Sequence, residues 1–150
     1  MYAMHEHVIK IIMQLVKITR ESEVPLIGHI AFGIVVRSNS NLIQVRATTV
    51  CNMNCIFCST DGGPYSITHR THYTIDPHYL AEWVKEIVAL KGKTHVNIDS
   101  VGEPTAYQEL ETLIAELRKI PEVCFVSMQT NGTLLTKEKI GALEKAGLNR

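Results

Sequence analysis

The stretch Leu-Ile-Gln-Val-Arg-Ala-Thr-Thr-Val-Cys-Asn-Met-Asn-Cys-Ile-Phe-Cys, residues 42–58, joins a run typical of a β-strand to three closely spaced cysteines. Cys51, Cys55 and Cys58 follow one another at intervals of four and three residues. One tight loop with these spacings can direct three thiolates at a single point, which a metal centre needs and core packing does not. Four thiolates would complete a 4Fe-4S cluster, whereas three leave one iron free to bind another ligand. The pattern therefore indicates an iron–sulfur centre with an open coordination position.

The composition of the chain limits its class and its partners. A length of 150 residues suits one domain with a real core. Fifteen basic and fifteen acidic residues cancel, so no net charge draws the protein toward nucleic acid or an anionic membrane. Three of the four cysteines lie within eight residues, which favours a reducing compartment and a metal over disulfides. We expect a cytoplasmic protein, because Lys10, Gln14 and Lys17 interrupt the apolar N-terminal stretch that could otherwise enter a membrane.

The first third of the chain predicts a helix and a hairpin. A stripe of apolar residues at helical spacing predicts an amphipathic leading helix: Val8, Ile11, Ile12, Leu15 and Ile18. Two β-branched runs at 29–36 and 42–48 flank the polar cluster at 38–41, which predicts a β-hairpin or a short strand feeding a longer one. We assign residues 1–41 to an N-terminal extension and residues 42–150 to the core domain.

The rest of the chain alternates between strands and helices. Apolar stripes at helical spacing follow Asp76, which can cap a helix, and Thr105, which forms a possible capping box with Gln108. Thr136 can cap a last helix that ends near Gly147. Short β-branched runs predict strands at 95–99 and 123–128. Together with the strand at 42–48, these elements make three βα units. The alternation predicts an α/β fold with a parallel sheet.

Three motifs follow the three predicted strands of this sheet. The cysteines come after the first strand, Gly102-Glu103-Pro104 after the second and Thr130-Asn131-Gly132 after the third. Ligands of parallel α/β folds bind at the carboxyl ends of the strands, where the βα loops lie. We therefore expect all three motifs to meet at one edge of the sheet.

The cysteine pattern, with the aromatic Phe57 directly before the last cysteine, resembles the signature of the radical S-adenosylmethionine (SAM) superfamily. The run Ser-Val-Gly-Glu-Pro-Thr at 100–105 resembles the Gly-Gly-Glu-Pro motif of that family, with Val101 in place of the first glycine. The resemblance covers residues 44–132. It implies that the core domain is the N-terminal half of a partial (βα)6 barrel, preceded here by the helix and the hairpin.

The resemblance also implies a cofactor set and a reaction. The thiolates of Cys51, Cys55 and Cys58 would hold a 4Fe-4S cluster, and SAM would bind the fourth iron through its methionine amino and carboxylate groups. One electron from the reduced cluster would cleave SAM to a 5′-deoxyadenosyl radical that abstracts hydrogen from an unidentified substrate. The electron would come from a reductant such as flavodoxin or ferredoxin. Because the family barrel has six βα units, we expect these three to be part of a longer barrel or to need a partner, and to be inactive alone.

The remaining family motifs imply contacts with SAM. Gly102, Glu103 and Pro104 would hold the methionine amino group, since a carboxylate and backbone carbonyls satisfy an ammonium. Phe57 would pack beside the adenine, or anchor its loop in the core. Thr130 and Asn131 would present polar side chains to SAM or to the substrate, although Asn-Gly is also common in ordinary turns.

Two other functions fit the cysteine triplet. The first is a non-catalytic iron–sulfur protein, either an electron carrier or a sensor, although a carrier would normally add a fourth cysteine. The second is a structural zinc module, completed by Cys124, His69 or His72. The position of Cys124 in a β-branched run favours a small buried hydrophobic residue instead.

Two further features of the sequence leave their roles open. Arg46 lies on the strand before the cysteines, where it can face a ligand carboxylate or phosphate inside the barrel or pair with an acidic neighbour. The segment 59–75 is long for a βα loop, which favours a lid or a substrate contact over a flexible polar excursion.

Overall fold

In the computed structural model, which describes residues 14–150, strands and helices alternate after an initial hairpin. The strands are β1 Gln14–Ile18, β2 Gly33–Val36, β3 Leu42–Arg46, β4 Thr71–Ile75, β5 Thr94–Ile98 and β6 Val123–Met128. The helices are α1 Pro77–Lys91, α2 Leu110–Arg118 and α3 Lys137–Ala146. Two short 3-10 turns cover Arg20–Ser22 and Pro104–Ala106. None of the helices in this described range is long and apolar enough to span a bilayer.

The main sheet has four strands in the order β2-β3-β5-β6. β2 and β3 pair antiparallel, which confirms the predicted hairpin. β3 and β5, and then β5 and β6, pair in parallel. α2 follows β5 and α3 follows β6, whereas the strand β4 lies between β3 and α1 in the first unit. The α/β class and the three predicted βα units are confirmed with this one insertion. The division of the chain at residue 41 stays a prediction.

The core lies between this sheet and the three helices. Alternate residues of the strands point at the helices, because successive side chains of a strand face opposite sides of the sheet. The fully buried strand residues on that side are Ile43, Val45, Val96, Ile98 and Val126. They pack against apolar stripes with the helical period, which are Leu80, Val84 and Val88 of α1 and Leu110, Leu113, Ile114 and Leu117 of α2.

Two of the three predicted helix caps are confirmed. The Asp76 carboxylate accepts from the backbone of His78 at 3.0 Å, with Pro77 at the first helical position of α1. Thr136 accepts from the backbone of Lys139 at 3.1 Å at the start of α3. The capping box of Thr105 and Gln108 is wrong, because Pro104–Ala106 form a 3-10 turn and α2 begins only at Leu110. The Glu103 carboxylate instead accepts hydrogen bonds from the backbone N–H and the hydroxyl of Thr105.

The prediction of a leading helix is wrong for the residues that the structure describes. Gln14–Ile18 form β1, which pairs in parallel with β4, a strand that we did not predict. Leu15 and Ile18 have the spacing of one helix face, whereas Val16 and Ile18 have that of one strand face, and pairing with β4 decides between the two. Val8, Ile11 and Ile12 lie outside the described residues.

The two-stranded sheet is joined to the main sheet just after β3. The backbone N–H of Thr49 donates to Tyr73 at 2.9 Å, and the N–H of Ile75 donates to Ala47 at 2.9 Å. The buried Tyr107 adds a side-chain tie, since its hydroxyl donates to the carbonyl of Ile75 at 2.6 Å. The chain that leaves β3 toward the cysteines is therefore held to β4, and Tyr107 holds β4 in turn.

Cys124 is exposed, so its prediction as a buried residue is wrong. It lies on β6, the last strand of the sheet, whose outer edge is bonded at Val126 and Met128 to the backbone of residues 149–150 rather than to another strand. Its thiol donates to the carbonyl of Thr94 at 3.4 Å, at the amino end of the parallel strands. The four residue steps from Cys124 to Met128 span roughly 13 Å of extended strand, which places this thiol far from the cysteine triplet.

The Tyr107 hydroxyl provides a test of the tie between the sheets. Tyr107→Phe should lower the free energy of unfolding by about 1–3 kcal/mol, because it leaves the buried carbonyl of Ile75 without its donor. Tyr65→Phe makes the same chemical change at a position that is 78% exposed and should be close to neutral. Urea unfolding followed by circular dichroism compares the two. Equal stabilities would show that the Tyr107 hydroxyl does not hold β4.

Candidate functional site

The three motif-bearing loops meet at the carboxyl edge of the main sheet, as the strand order predicts. We call residues 50–60 the cysteine loop; it follows β3. Residues 99–104 follow β5, and residues 129–133 follow β6. Because β3, β5 and β6 are parallel neighbours, all three loops leave the sheet at the same edge. Hydrogen bonds then join each later loop to the cysteine loop.

Gly102 brings the second loop into contact with the start of the cysteine loop. A Cβ atom at Gly102 would lie 2.1 Å from the carbonyl oxygen of Val50, so the approach of the two backbones excludes any side chain. The next residue, Glu103, donates its backbone N–H to the same carbonyl at 2.7 Å. Val101, which replaces a glycine of the family motif, is buried, and its carbonyl accepts from the Thr60 hydroxyl at 3.0 Å. The valine therefore remains compatible with the turn.

The carboxylate of Glu103 joins the second loop to the third. Glu103 is only 3% exposed. Its Oε1 accepts from the backbone and hydroxyl of Thr105 and from the hydroxyl of Thr130, and its Oε2 accepts from the backbone of Asn131 at 2.7 Å. Burial alone would raise the pKa of Glu103, but the hydrogen bonds from Asn131, Thr105 and Thr130 outweigh it and hold this pKa below its ordinary value. The carboxylate is therefore ionised at neutral pH.

A ring of three side chains joins the third loop to the cysteine loop. Asn52 Nδ2 donates to Thr133 Oγ1 at 2.8 Å, and this hydroxyl donates to Asn131 Oδ1 at 2.7 Å. Asn131 Nδ2 then donates to Asn52 Oδ1 at 3.0 Å, which closes the ring. Each member donates once and accepts once within the ring, and the backbone N–H of Thr133 also donates to Asn131 Oδ1 at 3.0 Å, which fixes the direction of the ring.

The three cysteine side chains share one accessible loop. Cys51 and Cys55 are half-buried and Cys58 is exposed, and the four cysteines of residues 14–150 form no disulfide. The backbone N–H of Cys58 donates to the carbonyl of Cys55 at 3.0 Å, which closes a turn between them. The Cys58 sulfur lies 3.2 Å from the Thr60 hydroxyl oxygen, and this contact together with nearby backbone N–H groups lowers the pKa of the Cys58 thiol. The lowered pKa makes the thiolate, the form that binds metals, easier to reach at Cys58 than at an ordinary cysteine.

The donor set of this loop fits an iron–sulfur cluster. Within residues 14–150, no three His, Cys, Asp or Glu side chains converge at metal-binding distance. Metal sites gather their ligands on binding, and three thiols on one exposed loop have the chemistry that a 4Fe-4S cluster requires. Gly63 keeps this loop close to its neighbours, since a Cβ there would lie 2.4 Å from the carbonyl oxygen of Met53. The loop thus has a defined base and accessible thiols.

The aromatic residue of the cysteine loop lies on the surface. Phe57 is 86% exposed, so in this structure it does not anchor the loop in the core. Its exposed face remains available to a planar ligand. Its role beside the adenine of SAM stays a prediction.

The long segment after the cysteines has two parts. Residues 61–68 fold around Asp61, whose Oδ2 accepts from the hydroxyls of Ser66 and Thr68 at 3.0 and 2.7 Å and from the backbone of Ile67 and Thr68 at 3.2 Å each. Residues 71–75 are β4. The segment is therefore an ordered loop and a strand, and its role as a lid stays a prediction.

Arg46 pairs with an acidic neighbour, as one of its two interpretations expects. One guanidinium nitrogen lies 3.8 Å from the Asp99 carboxylate, and another donates to the carbonyl of Ile30. Gln44 Nε2 also donates to Asp99 at 3.2 Å. These side chains alternate with the buried residues of their strands, so they lie on the face of the sheet that is opposite the helices.

The histidines proposed for a zinc site have other neighbours. His72 is buried on β4, and its Nδ1 lies 3.2 Å from the carbonyl oxygen of Thr49. The backbone N–H of His69 donates to the Ser66 hydroxyl at 2.8 Å. Neither belongs to a cluster of three potential metal ligands among the described residues.

Sequence analysis missed Asn52 and Thr133, which hold the cysteine loop to the third loop. They are 81 residues apart, and each is a common loop residue whose type carries no sign of its partner. The only signal in the sequence is that each lies next to a residue of a predicted motif, Asn52 next to Cys51 and Thr133 next to Gly132.

Comparisons with known proteins agree with this arrangement. The radical SAM superfamily profile matches residues 45–150. An uncharacterised protein of Methanocaldococcus jannaschii is 47% identical over 131 residues, which cover 85% of this chain and 30% of that protein. The GTP 3′,8-cyclase of Petrotoga mobilis is 39% identical over 108 residues, which cover 72% of this chain and 32% of the cyclase. The chain thus spans about a third of the length of these curated relatives.

A solved structure shares the fold. The crystal structure of BtrN in complex with AdoMet and 2-DOIA aligns with a TM-score of 0.61 and 22% identity, over 77% of this chain and 45% of BtrN. Members of the superfamily are enzymes that use a 4Fe-4S cluster and SAM. The profile match covers more than half of the sequence and includes every motif of the site. This chain therefore belongs to the radical SAM superfamily.

Proposed function

We propose that this chain carries the cluster-binding and SAM-binding part of a radical SAM enzyme. The observation that supports the proposal most is the joining of three loops at one edge of the sheet. The cysteine loop is bound to Glu103 through Val50 at 2.7 Å and to Asn131 through Asn52 at 3.0 Å. Thiolates for a cluster and a buried carboxylate for an ammonium group therefore belong to one connected site.

Cys51, Cys55 and Cys58 are the proposed iron ligands. Their thiols are the only ones at this edge of the described sheet, because Cys124 lies at the amino end of β6. Three ligands leave one iron of a 4Fe-4S cluster open. When bound, the cluster and SAM supply reductive cleavage of SAM and abstraction of a hydrogen atom from a substrate.

Glu103 is the proposed partner of the methionine ammonium of SAM. Its Oε1 already accepts three hydrogen bonds, whereas Oε2 accepts one, so Oε2 has capacity for a further donor. The ionised carboxylate attracts a cation, and its burial strengthens that attraction. Gly102 and Pro104 contribute backbone next to it, and Gly102 has no side chain to obstruct the approach.

The other proposed SAM contacts surround this carboxylate. Thr130 and Asn131 are bound to Glu103, so they stand next to the proposed ammonium site. Phe57 exposes its ring on the cysteine loop, where it can cover the adenine and exclude water. These residues bind and orient; no side chain is assigned an acid or base role.

Anaerobic reconstitution with iron and sulfide, followed by electron paramagnetic resonance of the reduced protein, tests the proposal. We expect a cluster signal that SAM perturbs, because an open iron binds the SAM amino and carboxylate groups. A cluster signal that SAM does not change would instead indicate an electron carrier or sensor. Absence of any cluster signal, with bound zinc, would indicate a structural zinc module.

Single cysteine variants test the ligand assignment. Cys51→Ala, Cys55→Ala and Cys58→Ala should each abolish the brown chromophore of the reconstituted protein, since the loop has no replacement thiolate. Cys124→Ala is the matched control and should retain the chromophore, because this thiol lies at the opposite edge of the sheet. Visible absorption and iron content per chain provide the measurement. Loss of the cluster in the Cys124 variant, with retention in any of the other three, would refute the assignment.

The ionisation of Glu103 can be tested through the pH dependence of stability. Because its folded pKa is depressed, Glu103 contributes stability above its ordinary unfolded pKa, and this contribution is lost as pH falls through the folded pKa. Glu103→Gln should therefore be less stable than wild type at pH 7, and the difference should shrink below about pH 4. Urea unfolding from pH 7 to pH 3 gives the difference at each pH.

A matched variant separates this effect from general acid sensitivity. Glu144→Gln makes the same change at an exposed position of α3, and we expect its stability to follow wild type at every pH. A difference between wild type and Glu103→Gln that stays constant over the whole range would show that Glu103 is not the ionised centre of the loop contacts.

A further inference from the structure

We infer that Asn52 is a positioning residue, which fixes the Cys51 thiolate relative to the SAM site. This inference rests on the proposed function and goes beyond it. Asn52 neither offers a metal ligand of the predicted type nor touches Glu103. It acts through its neighbours in the chain and through Asn131.

The two residues that flank Cys51 are each held by a different loop. On one side, the carbonyl of Val50 accepts from the backbone of Glu103 at 2.7 Å. On the other side, the amide of Asn52 bonds to Asn131 at 3.0 Å and to Thr133 at 2.8 Å. Cys51 is thus clamped between the loops after β5 and β6. Cys55 and Cys58 are instead tied to each other by a local turn at 3.0 Å.

The clamp leads directly to the proposed ammonium site. Asn131 uses its side chain to bind Asn52 and its backbone N–H to bind Glu103 Oε2 at 2.7 Å. Two hydrogen bonds in sequence therefore connect the residue next to Cys51 with the carboxylate oxygen that has free capacity. A displacement of Asn52 therefore changes the distance between the Cys51 thiolate and the Glu103 carboxylate. A displacement elsewhere in the cysteine loop is not transmitted to Glu103 by Asn131.

Removal of any one side chain of the ring should disturb the hydrogen bonds of the other two. Each of its three side chains supplies one donor and one acceptor, so removal of Asn52 or of the Thr133 hydroxyl breaks two of the three ring hydrogen bonds, while Asn131 Oδ1 still accepts from the backbone N–H of Thr133. All three residues are exposed, which lets water replace part of the loss. We therefore expect a modest effect, about three- to tenfold in SAM affinity, rather than loss of the site.

The test uses the full chain after anaerobic reconstitution. Asn52→Ala and Thr133→Ala should each retain the iron content of wild type, because all three thiolates remain. Both should weaken SAM binding about three- to tenfold in titration calorimetry and reduce the change that SAM makes in the paramagnetic resonance spectrum. The double variant should bind SAM about as tightly as the single variant with the lower affinity, since each change opens the same ring.

Two control variants separate positioning from general damage to the loops. Thr133→Ser keeps the hydroxyl and should retain wild-type affinity. Asn54→Ala removes an exposed asparagine two residues along the same loop, outside the ring, and should also bind SAM as wild type does. If Asn52→Ala does not fold, Thr133→Ala opens the same ring from the other loop and decides.

A measurement on metal-free protein makes the inference independent of the cofactors. Hydrogen exchange of the peptide that contains residues 50–55 should be faster in Asn52→Ala and Thr133→Ala than in Asn54→Ala. SAM affinity of Asn52→Ala equal to that of Asn54→Ala would overturn the inference, as would loss of iron from Asn52→Ala alone. Wild-type protein whose cluster ignores SAM would instead refute the proposed function, so the two failures are distinguishable.

Discussion

The buried carboxylate of Glu103 is the interaction on which the rest of the site depends. It is ionised and nearly inaccessible to solvent, a combination that is costly unless hydrogen bonds compensate for the lost water. Donors from Thr105, Thr130 and Asn131 provide that compensation, and they come from two separate loops. The need to satisfy one charge therefore fixes the relative position of the loops after β5 and β6. The backbone N–H of Glu103 also donates to the carbonyl of Val50, so the same residue helps to position the cysteine loop.

Much of the fold could be predicted because its signals are local. The hairpin and the three βα units follow from the period of the apolar residues and from caps such as Asp76 and Thr136, which the chain supplies within a few residues. β1 could not be predicted, since its five residues suit either a strand or a helix and its partner strand begins 57 residues later. Cys124 was misjudged because a β-branched run shows that a strand exists, but not that the strand lies at the edge of a sheet.

The candidate site likewise has a part that the sequence predicts and a part that it does not. Its cysteines and its Gly102-Glu103-Pro104 run are compact motifs, so the sequence was sufficient to nominate them. The burial of Glu103 could not be predicted, because it results from Thr130 and Asn131, which lie 27 and 28 residues further along the chain. The ring of Asn52, Asn131 and Thr133 is invisible for a related reason. Its members are ordinary polar loop residues, and only the folded sheet edge brings them together.

The order of the loop at 61–68 has a consequence for the free energy of cofactor binding. Asp61 satisfies four donors within its own loop and takes a left-handed backbone conformation with φ of 46° to do so. The loop is therefore arranged before any ligand arrives, and so are the loops held by Glu103. These contacts lower the conformational entropy that cofactor binding must remove outside the cysteine triplet. Such preorganisation of the surroundings leaves more of the iron–thiolate bond energy to appear as affinity.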